Sequence, residues 1–415
     1  MLGLLKALIV LYLFIGTNVV GYYGYKDSVY NLVMVIISLI PMIYYYRGWK
    51  NVVLYQVMFF IFVLFFIYFN WHERNNSALV MSLCIIGPPI MFFSLPNKNI
   101  CGIKSYYGFW KYVLFAVFAA FLVNSGMAIV ERLSGEHIFG LRGEELAYQI
   151  SDVGFVGFRS TGIYGHPLKN ALITSTFMSY VLISPLRQTI KFSLWSFGYM
   201  ALLCFNERAS IVGNALLLIS YVIHMVFLKR KVSFSQKIKY IVYLLLIVVV
   251  GIFLIVEAGF AGRLVAMGVF DENSAQVRLK IWDVFKYHNL SEFLYGHSSG
   301  YMDTLAYSVG VSIIENFWLI YIFRYGLIFV CIYAFLYFLF MKRLFKDYNL
   351  FDKMLVIFTF WIFASINNSL ASGFMTLWYF LLLSVLFNPL VFAKIVKKKY
   401  IDINQFRFIS DSKTK

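Results

Sequence analysis

Arg159-Ser-Thr-Gly-Ile-Tyr-Gly-His-Pro-Leu-Lys-Asn170 is the stretch on which the reading of this chain turns. Arg159 and His166 stand seven positions apart, with Gly162 and Gly165 between them, and Pro167 then opens a long apolar run. Proline suits the first turn of a helix, where its missing N–H would have no partner anyway. The stretch therefore predicts an irregular, cation-bearing loop that becomes the mouth of a membrane helix. The free N–H groups and partial positive charge of such a mouth suit a phosphate.

The rest of the chain agrees with a membrane setting. Of 415 residues, 61% are hydrophobic and 13% charged, and the mean hydropathy is +0.77. A soluble domain of this length cannot hide so much apolar surface, so the fold class is all-α and polytopic. Twelve apolar segments run from 2–20 to 372–393, among them 51–70, 77–95 and 316–341. Most are long enough for a hydrocarbon layer of about 30 Å at a rise of about 1.5 Å per residue. The first lacks a small-x-small cleavage site and is followed at once by further spans, so it reads as a span rather than a signal peptide.

The net charge of +17 is not a nucleic-acid footprint, because the excess sits in short clusters bordering the spans. Arg47 and Lys50, Lys98 and Lys104, Arg187 and Lys191, Lys229 to Lys239, Lys342 to Lys353, and Lys394 with Lys397–Lys399 mark every second loop and the tail. By the positive-inside rule these are cytoplasmic, and so are both termini and the polar tail 399–415. The opposite face carries two long loops, 131–165 and 259–315. In the second, Val277, Ile281, Val284 and Phe285 recur at helical spacing and predict an amphipathic helix. No linker or repeat divides the chain, so 1–415 reads as a single transmembrane domain. The four cysteines lie far apart and imply neither a disulfide framework nor a zinc site. No His-x-x-x-His pair and no Gly-x-x-x-x-Gly-Lys-Ser/Thr loop occurs, so neither metal nor ATP chemistry is expected.

With that topology, distant residues converge on the external face. Arg159 and His166 stand at one helix mouth, Asn206-Glu207-Arg208 at a second, and Glu315-Asn316 at a third, after a loop holding Arg278. Three helix mouths and several arginines form a crevice suited to a dianionic, membrane-tethered phosphate. Plainer readings exist for each residue. Arg208 with Glu207 makes an interfacial ion pair, Arg159 is an ordinary loop arginine, His166 before Pro167 is a helix cap, and Glu315 complements a helix dipole.

At these residues the chain resembles the O-antigen polymerase and ligase superfamily of membrane glycosyltransferases. Arg159 to Asn170 is similar to that family's Arg-x-x-Gly-x-x-x-x-Pro-Asn opening of a span. Glu207-Arg208-Ala-Ser210 is similar to its Ser-Arg segment, and Ile314-Glu-Asn-Phe-Trp-Leu to its His-Asn-x-x-Leu stretch. The match covers the second half of the chain and rests on short motifs in the right order. Where the ligases carry a histidine before the asparagine, this chain has Glu315, which tilts the reading towards a polymerase of the Wzy type. Asn170 lies three residues beyond Pro167 and is not carried over.

The resemblance implies a GT-C-like membrane fold in the bacterial inner membrane, with periplasmic loops and a role in lipopolysaccharide biosynthesis. Donor and acceptor would both be oligosaccharides on undecaprenyl pyrophosphate, set among membrane lipids, with a chain-length regulator protein as a partner. Arg159, Arg208 and Arg278 would hold the pyrophosphate, and Glu315 or His166 would be the catalytic base, with no metal and no cofactor. The nearest rival is an O-antigen ligase transferring glycan to lipid A core. A rival of another class is a lipid-linked oligosaccharide flippase or other twelve-span transporter. Against it, the polar residues crowd into two loops rather than along a central path, and the two halves are unlike.

Overall fold

The computed structural model describes residues 1–24, 27–46, 85, 87–96, 98–139, 157–229, 232–267, 280–287, 289–296, 301–310, 314, 316–366, 370 and 375–396. Among them the chain is all-helical, without a strand. The principal helices are α1 (Leu2–Phe14), α2 (Asp27–Tyr46), α3 (Ile103–Ser134), α4 (Pro167–Ile183), α5 (Gln188–Phe205), α6 (Arg208–Ile223) and α7 (Phe234–Val256). They continue as α8 (Leu290–Tyr295), α9 (Tyr301–Ser308), α10 (Phe317–Tyr325), α11 (Leu327–Leu344), α12 (Leu350–Ser365), α13 (Met375–Leu386) and α14 (Pro389–Ile395). Among the described residues, four helical stretches are long and apolar enough to cross a bilayer: α3, α6 with its π-helical extension to Leu228, α7 and α11. A fifth appears if α13 and α14, bent by 70°, form one broken span. The predicted span 51–70 lies outside the described residues, as does most of the first half of 77–95.

The axis of the bundle is α4. Fourteen of its 17 residues are buried, and it packs against α3, α5, α6, α12 and α13. A helix so enclosed needs narrow side chains for close approach and internal partners for its polar atoms. Thr174, Ser175, Thr176 and Ser179 meet the first need. Thr176 Oγ1 donates to Leu172 O (2.6 Å) and Ser179 Oγ to Thr176 O (2.7 Å). Asn214 of α6 donates to Ser175 Oγ (2.7 Å), and Tyr180 bonds Ser384 of α13. Glycines bring two neighbouring pairs closer still: Gly198 of α5 lies under Met178, and Gly213 of α6 under Phe363 of α12. By contrast α7 fully buries only Tyr240 and Gly251, and much of its apolar surface, from Ile238 to Val256, faces outward, as on a lipid-facing helix.

Lys191, a topology marker in the sequence, is fully buried. Its Nζ donates to Leu182 O (2.9 Å) at the C-terminus of α4 and to Tyr221 Oη (3.1 Å). A cation there satisfies a carbonyl that has no partner in its own helix.

The apolar segment 316–341 reads as one span, but the structure breaks it at Gly326. Tyr321 and Tyr333, twelve residues apart, would be separated by about 18 Å on a continuous helix. Their rings are 5.8 Å apart, and those of Tyr325 and Phe329 are 5.1 Å apart. So α10 doubles back along α11. Trp361 of α12 touches both Phe317 (6.0 Å) and Tyr337 (6.2 Å), so the start of α10 lies some ten residues down α11 rather than at its end. The turn needs glycine, because Gly326 has φ 88° and ψ 154°, a region closed to other residues. A Cβ there would also run into Leu294 O of α8, and one on Gly296 would lie 2.6 Å from Arg324 O. Gly326→Ala is expected to destabilise the protein by about 1–3 kcal/mol, read as a lower Tm in detergent. An unchanged Tm would mean the turn does not form this way.

Candidate functional site

The sequence singles out the loop before α4, and that loop is held from four sides. Two charged residues at the end of α3, both fully buried, make the charge-assisted bonds. The Glu131 carboxylate accepts from the backbone N–H groups of Thr161 (2.8 Å), Gly162 (3.1 Å) and Ile138 (3.2 Å). Arg132 donates Nη1 to Phe158 O (2.8 Å) and Nη2 to Gly259 O (2.7 Å), tying the first long loop to the start of the second. One turn and two turns further back, Ala128 O accepts from Ser160 Oγ (2.7 Å) and Asn124 Oδ1 from the N–H of Ile163 (2.9 Å). From the α1 side, Leu13 O accepts from Tyr164 Oη (3.0 Å).

The C-terminus of α5 closes the third side. Ser160 N donates to Cys204 O (3.0 Å), and Asn206 Nδ2 donates to Phe158 O (3.3 Å). Asn206 sits in the left-handed region, φ 55°, a conformation asparagine tolerates better than most residues. On the fourth side Asn170, fully buried on α4, donates from Nδ2 to Thr161 O and to His166 O (3.0 Å). That bond explains an asparagine three residues past the proline: it fastens the loop.

These bonds fix the predicted residues. Arg159 lies between Phe158, whose carbonyl is clamped twice, and Ser160, whose N–H is clamped once, and its side chain is half-buried. Arg208 is the first residue of α6 and also half-buried, two positions beyond the asparagine that bonds Phe158. Arg159 and Arg208 therefore belong to one end of the bundle, beside the N-termini of α4 and α6. Glu207 caps α6, its carboxylate accepting from Ala209 N (3.3 Å) and Ser210 N. Asn316 caps α10, its Oδ1 accepting from Trp318 N (3.0 Å) and Leu319 N (3.2 Å). Trp318 Nε1 donates to Ser365 Oγ (2.8 Å), anchoring that mouth to α12, which packs on α6. Glu315 and Arg278 lie outside the described residues.

His166 caps α4, its Nδ1 accepting from Leu168 N (3.2 Å), which leaves the proton of the neutral ring on Nε2. Burial first, then the charges of Arg159 and Lys169, push its pKa down from 6.5 to about 3. The ring is neutral at pH 7 and binds a proton poorly, so it is better suited to donating from Nε2 than to acting as a base. Because the unfolded chain takes up a proton below pH 6.5 and the folded one does not, stability is lost as pH falls from 6.5 towards 3. His166→Asn is expected to flatten that part of the Tm–pH curve relative to wild type, and parallel curves would refute it.

Glu131 and Arg132 were not among the predicted site residues. The signal was present, a Glu-Arg pair closing an apolar run, but it sat where the span gives way to loop. His137 belongs with them. Its Nδ1 is 3.2 Å from Thr161 Oγ1 and 3.9 Å from Glu131 Oε2, and its ring stacks on Phe158 at 4.7 Å. In the second long loop, residues 281–287 form a 3₁₀ helix that buries Ile281 and Val284 while Lys286 pairs with Asp283 (2.6 Å). Comparison with protein-family models, with curated proteins and with solved structures finds no match to this chain.

Proposed function

We propose that this protein is an O-antigen polymerase, a membrane glycosyltransferase that joins lipid-linked repeat units. One observation supports this most: the four-sided clamp on 157–166, which holds Arg159 near the N-termini of α4 and α6, at the end of the bundle that also carries Arg208. A site of fixed cations and helix N-termini suits an anion held for reaction rather than one in passage. On this reading the chain has twelve spans in a GT-C-like arrangement in the inner membrane. Both termini and the tail 399–415 are cytoplasmic, and the loops 131–165 and 259–315 are periplasmic.

The reaction is displacement at an anomeric carbon. The acceptor's sugar hydroxyl forms the new C–O bond while the bond to the lipid pyrophosphate breaks, with inversion, and undecaprenyl pyrophosphate leaves. Arg159, Arg208 and Arg278 take up the charge of the leaving group. The neutral His166 ring donates from Nε2, and Glu315 accepts the hydroxyl proton, a role worth typically 10²–10⁴-fold. The ligase reading shares the chemistry and differs in the acceptor. Incubating purified protein with a lipid-linked repeat unit tests the proposal: new glycosidic bonds between repeats support it. Translocation without bond formation would point to a carrier, and transfer only to lipid A core would point to a ligase.

A further inference from the structure

Arg324 occupies the last turn of α10, two residues before the glycine of the turn. Its Nε and Nη1 are buried, and among the described residues neither has a hydrogen-bond partner. A guanidinium does not shed its proton when buried. Hiding the donors of a charged group without an acceptor is among the costlier things a fold can do. Arginines near a membrane surface normally lay the stem on apolar neighbours and keep the head in water. Here the buried atoms belong to the head.

Among the described residues, the surrounding elements do not offer the missing acceptor. Segment 294–296 crosses directly over 324–326, where Gly296 and Gly326 bring the two backbones together. The 3₁₀ helix 281–287 adds Phe285, 5.2 Å from Phe323. The described carboxylates of these elements are engaged elsewhere: Asp283 pairs with Lys286 (2.6 Å), and Glu292 accepts from Asn289 N (3.2 Å) to close a capping box. Next along the chain begins α11, whose N-cap, Gly326, has no side chain with which to satisfy its first N–H groups. A half-buried cation with two buried, unpartnered nitrogens and an uncapped helix start thus lie on the two sides of one tight turn.

We infer that Arg324 anchors a second oxyanion site, for the phosphate-type group of a membrane-borne lipid. The inference rests on the polymerase reading for the lipid it names, the acceptor. When repeat units are joined, both reactants carry a diphosphate. Arg159 and Arg208 hold the one that leaves, and Arg324 holds the one that stays attached to the growing product. The same chemistry would accept a phospholipid headgroup, and the experiment separates the two.

Undecaprenyl pyrophosphate is titrated into the full chain held in phosphatidylcholine nanodiscs, and the equivalents bound per chain are counted. Two are expected for wild type. Arg324→Gln should keep one and weaken the other at least about tenfold, the loss of a charge-assisted bond. Arg159→Ala should lose the opposite one, so each variant serves as the other's folding control. Arg324→Lys, which keeps the charge, should bind the second equivalent more tightly than Arg324→Gln. Equal stoichiometry and affinity in wild type and Arg324→Gln would overturn the site. Replacing part of the phosphatidylcholine with phosphatidylglycerol should leave the second equivalent in place; its displacement would overturn the acceptor assignment in favour of a headgroup. Binding at both sites with no glycosidic bond formed would sink the polymerase reading and spare the site. Normal polymer from Arg324→Gln would do the reverse.

Discussion

Arg159→Ala and Arg208→Ala are each expected to abolish long-chain polysaccharide in a complementation gel and to lower turnover of a lipid-linked repeat about 10²–10³-fold. That is the usual range for removing one preorganised charge-stabilising donor. Neither change should unfold the protein. The loop around Arg159 is held through the carbonyl of Phe158, the N–H of Ser160 and the backbone of 161–163, and the Arg159 side chain makes none of these bonds. Arg208 begins α6, and the cap of that helix belongs to Glu207. Expression and Tm should therefore stay near wild type while activity falls. The double variant should lose less than the product of the two single losses if both arginines grip one diphosphate. Normal laddering in both single variants would remove them from the mechanism.

Glu131→Ala should behave in the opposite way, losing stability and activity together. Its carboxylate is the acceptor for three backbone N–H groups, two of them inside the loop that carries Arg159. Each buried donor left without an acceptor costs about 1–3 kcal/mol, so the sum is on the order of 3–5 kcal/mol after relaxation. In practice Tm in detergent falls, and a protease cuts between residues 157 and 166 at concentrations that spare wild type. Glu131→Gln keeps one carbonyl oxygen but turns an NH₂ group towards donors, and should fall between the two. A wild-type Tm for Glu131→Ala would show that the loop is held by something else. Comparing the two alanine variants thus separates a residue that acts on substrate from one that positions it.

The membrane character was legible because hydropathy reports burial from water whatever the neighbour. The loop 159–166 was legible because glycines, a proline and two cations in a row have few other uses. What hydropathy could not reveal is which apolar helix faces lipid and which faces protein. The α4 and α7 stretches both read as spans, yet one is the axis and the other lies at the edge. The distinguishing sign was the hydroxyl-rich run Thr174-Ser-Thr176 with Ser179, polar atoms that a lipid-facing helix has less reason to carry. Asn170 was set aside because it missed the spacing of a motif, whereas its use is a bond back to the loop. Glu131 and Arg132 were missed because a charged pair at the end of a span ordinarily marks the water boundary, and here both side chains turn inward. The fold-back at Gly326 was hidden for a related reason: the residues on both sides are equally apolar, so nothing in the pattern marks a reversal.

That reversal has a bearing on how crossings are counted. A helix that dips alongside its successor and returns to the level from which it came does not carry the chain to the far side. Residues 290–296 and Gly326 therefore share a side, and only α11 separates them from Lys342 and Arg343. Cysteines placed at the exposed positions 295 and 328 should react with the same impermeant reagent, and one at 346 should not. The parity of the whole topology, and with it the face on which each terminus lies, is untouched by α10.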